Sequence, residues 1–143
     1  MTVTSRPYLL ARISRRVATS VYFVATNNQP VLIWDGDCAF CSRCVKFVER
    51  RIKPRAIIIS YQKASLDEFG LTDEQCSKAL QWVDIDGRVV AGSRAVAALL
   101  RSSNGVWRVL GVSIDMPIIR LIAAGGYQLV ARNRKHLPGG KTP

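Results

Sequence analysis

Acidic residues are scarce in this chain: 10 Asp and Glu stand against 21 Lys and Arg in 143 residues, a formal net charge of +11. The first thirty residues hold no acid at all; Arg6, Arg12, Arg15 and Arg16 give them +4, and the remainder carries +7. Such an imbalance favours acidic partners, whether nucleic acid, anionic lipid or acidic protein. No basic run interleaved with aromatics is present, however, so nucleic-acid binding is not expected and the arginines read first as solvated helix faces. Cysteine is also sparse. Four are too few for a secreted disulfide scaffold, and three of them, Cys38, Cys41 and Cys44, are crowded at three-residue spacing. That crowding points to redox or metal chemistry in a reducing, cytoplasmic setting.

A long uninterrupted apolar run is missing too. The stretch from Val106 to Val130 is broken by Arg108, Asp115 and Arg120, which predicts packed or surface-lying helices and not a spanning one. Near the N-terminus, Arg12, Arg15 and Arg16 precede a short apolar run, Val17 to Ala25, that contains Thr19 and Ser20 and lacks an A-x-A site. It imitates a leader, but it reads equally as an amphipathic extension lying on the domain or against an anionic membrane. The remaining composition, 48% hydrophobic and 22% charged, fits one globular domain. The expected organisation is a basic extension over 1–30, a domain over 31–138 and a tail over 139–143.

From Val31 the pattern becomes regular. Val31-Leu32-Ile33-Trp34 is a short continuous apolar run, as in a strand buried on both faces. Asp35-Gly36-Asp37 breaks it. Cys41, Val45, Val48 and Ile52 then recur at helical spacing, and Pro54 ends that helix. Ala56 to Tyr61, rich in β-branched residues, predicts a second buried strand parallel to the first. Ser65 to Glu68 and Thr72 to Gln75 fit capping boxes of two short helices. Trp82 to Ile85 and Arg88 to Ala91 flank Asp86-Gly87, a hairpin signal. Ser93 is the expected cap of a helix carrying Val96, Leu99 and Leu100, which Asn104-Gly105 terminates. Two further helices follow, about Val106 to Val112 and Pro117 to Arg134, with a kink or break expected at Gly125-Gly126. The order β-α-β-α-β-β-α is that of a thioredoxin-like α/β core, a mixed four-stranded sheet with helices on both faces and added C-terminal helices.

Cys38-Ala39-Phe40-Cys41 falls where the first strand turns into a helix. A cysteine there meets free backbone N–H groups and the positive end of the helix dipole, which favour a thiolate. In such motifs the thiol falls from about 8.5 toward roughly 7. Cys38 is therefore the expected attacking thiol, and Cys41, one turn further on the apolar stripe, the resolving one. Asp35 and Asp37 would oppose ionisation of the pair and Arg43 would counter them. Asp37 reads as a helix cap or turn residue. Asp35 reads as a turn residue or as a proton acceptor and orienting group for the resolving thiol.

The stretch Trp34-Asp35-Gly36-Asp37-Cys38-Ala39-Phe40-Cys41 resembles the signature of the DCC family, also called domain of unknown function 393, whose D-x-x-C-x-x-C motif is matched by Asp35, Cys38 and Cys41. Asp86-Gly87, Gly92-Ser93-Arg94-Ala95 and Tyr127 to Arg134 extend the resemblance over about Val31 to Pro138. It implies a thioredoxin-like fold and protein-disulfide reductase activity. The expected partner is a protein or small-molecule disulfide or dithiol, and no cofactor is expected. Ala39 stands where relatives often carry proline, and no proline precedes the strand at Trp82, where a thioredoxin has one against its active site.

Two other function classes compete. Cys38, Cys41 and Cys44 form C-x2-C-x2-C, superficially an iron–sulfur run, but Val48 occupies the position that would need the fourth cysteine. A zinc site would have to recruit Cys76 or His136, without a second C-x-x-C. Cys44 reads instead as a small buried hydrophobe beside Phe47, Cys76 as one face of a short helix, and His136 as an exposed helix-end residue. The other class is an interaction module. Trp107, Ile114, Met116, Ile118, Ile119, Leu121 and Ile122 either cover the sheet, make a dimer contact or rest on a membrane, with Arg108 and Arg120 toward lipid phosphates.

Overall fold

The computed structural model describes residues 28–137. The expected N-terminal extension as far as residue 27 and the expected tail over 139–143 lie outside the described residues.

Four strands form one mixed sheet in the order β2-β1-β3-β4. β1 (Val31–Trp34) lies inside it, parallel to β2 (Ile57–Ser60) and antiparallel to β3 (Gln81–Val83), which pairs with β4 (Val89–Ala91). The continuous apolar run of β1 has the cause inferred from its sequence, since Val31, Leu32 and Ile33 are all buried. Alternation along the strand sends them to two cores. Val31 and Ile33 join Val83, Leu66, Leu71 and Cys76 on one face; Leu32 joins Trp82, Ala95, Ala98 and Leu99 on the other. β2, expected to be buried, is an edge strand and only half-buried throughout.

α1 (Ala39–Phe47) crosses from β1 toward β2 and ends in one turn of π-helix, Val48–Ile52, closed by the Lys53 N–H donating to Val48 O at 2.8 Å. Val45 and Ile52 are buried and Cys41 and Val48 half-buried, as the stripe predicts. α2 (Leu66–Phe69) and α3 (Asp73–Lys78) cover the first core. Thr72 and Gln75 make the expected capping box, whereas Ser65 makes no side-chain cap bond. The hairpin loop is Ile85, Asp86 and Gly87, not the two residues Asp86-Gly87: Asp84 N–H donates to Arg88 O at 2.8 Å and Gly87 N–H to Asp84 O at 2.9 Å, with Gly87 at φ 76°. That is a three-residue hairpin with its glycine in the left-handed position.

α4 (Ser93–Arg101) buries Ala95, Ala97, Ala98, Leu99 and Leu100, and Ser93 is its first residue, the cap position being Gly92. α5 (Val106–Ile114) packs across α4, and α6 (Pro117–Asn133) follows at an angle of 95°. Of the kink or break expected at Gly125-Gly126, the break does not occur; α6 runs through both glycines, whose propensity cost is about 1 kcal/mol each. The chain thus has the thioredoxin-like core with extra C-terminal helices.

Candidate functional site

Cys38 itself, and not Asp37, is the N-cap of α1. Its backbone is extended (φ −91°, ψ 108°), and its Sγ accepts the Cys41 N–H at 3.3 Å. The cysteine thus does for the helix what a serine or aspartate cap does elsewhere, and a negative charge on this sulfur would face an N–H and the start of a nine-residue helix. Asp37 is exposed and belongs to the preceding turn, where its N–H donates to Asp35 Oδ1 at 3.1 Å. The same Oδ1 accepts from Gln62 Nε2 at 3.1 Å, and Gln62 Oε1 in turn accepts the Gly36 N–H at 3.0 Å. A Cβ at Gly36 would stand 2.8 Å from Gln62 Oε1 and 3.0 Å from Ser60 Cβ, so a side chain there would push Gln62 out of this network.

Asp35 is therefore fixed and nearly enclosed, its side chain 13% exposed, with Arg134 Nη1 at 3.8 Å from its Oδ2. Arg134 also donates to Ser77 O. Arg134, delivered by the end of α6, is a cation beside the pair. Arg43, the residue given that role from sequence, lies on the exposed outer side of α1 in a basic cluster with Lys46, Arg50 and Arg51 around Phe47.

Cys41 opens into a crevice of about 310 Å³. Its walls are Leu32 and Trp34 of β1, Phe40, Val45 and Val48 of the crossover helix and its π turn, Leu99 of α4, and Tyr127, Val130 and Arg134 around the end of α6. Burial in this apolar setting pushes the Cys41 thiol up to about 12, helped by its hydrogen bond to Cys38 and the charge there; Arg134 pulls it down and Asp35 pushes it up. Tyr127 lines the crevice, its hydroxyl accepting the Leu80 N–H at 2.9 Å ahead of β3, and burial raises its own pKa.

Cys44 is exposed at the crevice rim and does not occupy the buried position beside Phe47 expected of it; its thiol is raised by partial desolvation and by the Cys38 charge. Cys76 is buried in the first core, where burial and then Asp73 raise its pKa. His136 is exposed just past α6. Among the described residues no three His, Cys, Asp or Glu side chains converge to hold a metal, and none of the four cysteines is in a disulfide.

The structure brings Cys38, Cys41 and Asp35 together and leaves Arg43 and Asp37 at the surface. Sequence reasoning misses Gln62, Tyr127 and Arg134 as site residues. Gln62 carries no sequence signal, whereas Tyr127 and Arg134 bound the C-terminal segment that resembles the DCC family. A thioredoxin-like sheet with a dithiol capping the helix after its first strand defines a thiol redox protein class. The model of the DCC1-like thiol-disulfide oxidoreductase family matches residues 32–140, and the chain belongs to that family. No curated protein and no solved structure matches the chain.

Proposed function

We propose that the protein is a protein-disulfide reductase that works by dithiol–disulfide exchange, with Cys38 as nucleophile and Cys41 as resolving thiol. The observation that carries this is the unequal setting of the two sulfurs. Cys38 Sγ accepts an N–H at the helix start and is partly accessible, whereas Cys41 is held as a thiol by the crevice.

Cys38 attacks one sulfur of a substrate disulfide, forming a mixed disulfide and expelling the other sulfur as a thiolate, which takes up a proton from solvent. The Cys38 sulfur then carries no charge, so the charge that raises Cys41 is gone while the pull of Arg134 persists. Cys41 gives its proton to solvent or to Asp35, attacks Cys38 Sγ, and displaces the second substrate thiolate. Two electrons pass from the dithiol to the substrate, and an external thiol reductant restores the pair. The apolar walls of the crevice suit an aliphatic or aromatic group beside the substrate's disulfide.

Cys38→Ser should abolish thiol-driven reduction of a fluorescent-labelled oxidised glutathione, and Cys41→Ser should accumulate mixed disulfides on Cys38 that mass spectrometry detects. Full activity in Cys38→Ser would sink the assignment. Equilibration of the parent in glutathione buffers gives the potential of the pair, and with it the direction of transfer.

A further inference from the structure

The outward side of the last two helices is apolar where a water-facing helix should be polar. α6 turns its half-buried residues, Ala123, Ala124, Tyr127, Ala131 and the adjoining Arg134, to one side. By helical period the opposite side holds Ile118, Leu121, Ile122 and Leu129, the first three at least 70% exposed. α5 does the same: it buries Gly111 against α4 and leaves Val106, Val109 and Val112 exposed. Exposed apolar area of this extent marks an interaction surface.

The charges around it select the partner. Neither helix contains an acid. Arg132 falls by helical period on the outer side of α6, Arg108 lies exposed on α5 and Lys135 just beyond α6, while Arg120 falls on the inner side, near Arg94, Arg101 and Asp115. The single acid from residue 106 to residue 137, Asp115, is paired with Arg101. Beside α5, Phe47 meets Trp107 edge-on with ring centroids 6.0 Å apart, and Phe47 sits in the basic cluster of Arg43, Lys46, Arg50 and Arg51. A second copy docked by a twofold axis would set this cation-rimmed face against itself, like charge on like. A nucleic acid would engage the cations and leave the aliphatic residues in water. An anionic bilayer satisfies both, taking the apolar side chains into the acyl boundary and the guanidinium groups at its headgroups. Neither helix alone is long and apolar enough to cross a membrane; the two together reach that length and composition, but the 95° bend between them suits lying on the surface.

We propose that α5 and α6 dock the protein onto an anionic lipid surface, with the apolar outer faces of both helices buried among the acyl chains and the arginines and lysines around them at the phosphates. This goes beyond the redox reading and stands without it.

Flotation of the full chain tests the proposal, using vesicles of phosphatidylcholine with phosphatidylglycerol and vesicles of phosphatidylcholine alone. The parent should float with the anionic vesicles and far less with the neutral ones. Leu121→Asp/Ile122→Asp should lower partitioning by at least about tenfold, since two apolar side chains lose their burial, and should leave Cys38 alkylation unchanged. The indole introduced by Ile122→Trp should be quenched by brominated acyl chains, a readout that still decides if the double variant fails to fold. Failure of the parent to float overturns the proposal. So does a folded double variant that floats like the parent, which would assign binding to the N-terminal arginines, or a parent dimer in sedimentation that the double variant dissociates. Absence of quenching at position 122 overturns it as well.

Discussion

Arg134 stands just past the end of α6, yet it is the cation that acts on the thiol nearest the centre of the proposed chemistry. Its guanidinium pulls the Cys41 pKa down against burial and against Asp35, and it holds Asp35 and Ser77 O at the same time. Arg134→Gln should therefore leave Cys41 harder to ionise. The expected outcome is a slowing of mixed-disulfide resolution by up to about tenfold, the factor equal to one pKa unit, with a smaller change in alkylation of Cys38. Rapid-mixing kinetics of the two steps separates them, and Arg134→Lys should recover most of the rate. Equal slowing of both steps, with no recovery in the lysine variant, would show Arg134 to be structural only.

Between elements, close packing and open space make opposite demands on glycine. Where α5 crosses α4, a Cβ at Gly111 would stand 2.6 Å from Arg101 N, 2.9 Å from Ala97 O and 2.9 Å from Leu100 Cβ. Two of those three are backbone atoms, which cannot swing aside. Gly111→Ala should cost about 1–3 kcal/mol through overpacking, more than alanine's helix propensity returns. At Gly126 nothing lies within 4 Å of the place a Cβ would take, and the residue is inside a helix. Gly126→Ala should stabilise by roughly 0.5–1 kcal/mol. Denaturant titration of both variants checks the pair of signs; a neutral Gly111→Ala would mean that α5 slides easily on α4.

Across the whole molecule, the raised thiols set an alkaline limit. An ordinary cysteine here titrates at 9.0, whereas folded Cys41 is pushed up to about 12. Between those values the unfolded chain has lost a proton that the folded chain retains, so the contribution to stability is complete below pH 9 and declines as pH rises toward 12. Cys44, Cys76 and Tyr127 are shifted in the same direction. The thermal midpoint of the reduced protein should fall from pH 9 upward, and Cys41→Ala should fall less steeply. Identical slopes in parent and variant would show that Cys41 is not desolvated as described.

Local chemistry was legible in the linear order of residues. Val31 to Ile33 announced a strand buried on both faces, the stripe from Cys41 to Ile52 announced the helix behind the cysteine pair, and Thr72 with Gln75 announced a helix start, because each signal depends on neighbours within a turn or a pleat. The turn from β1 into α1 placed Cys38 at a helix N-terminus by the same local rule. What depended on distant partners was hidden. The edge position of β2 is set by which strands pair, the exposure of Cys44 by what packs against α1, and the enclosure of Asp35 by Gln62 and Arg134 arriving from elsewhere in the chain. Spacing and the apolar stripe could name the two thiols and their order, but how far Cys41 is desolvated was decided by the tertiary structure, since its crevice is built from β1, α1, α4 and α6 together.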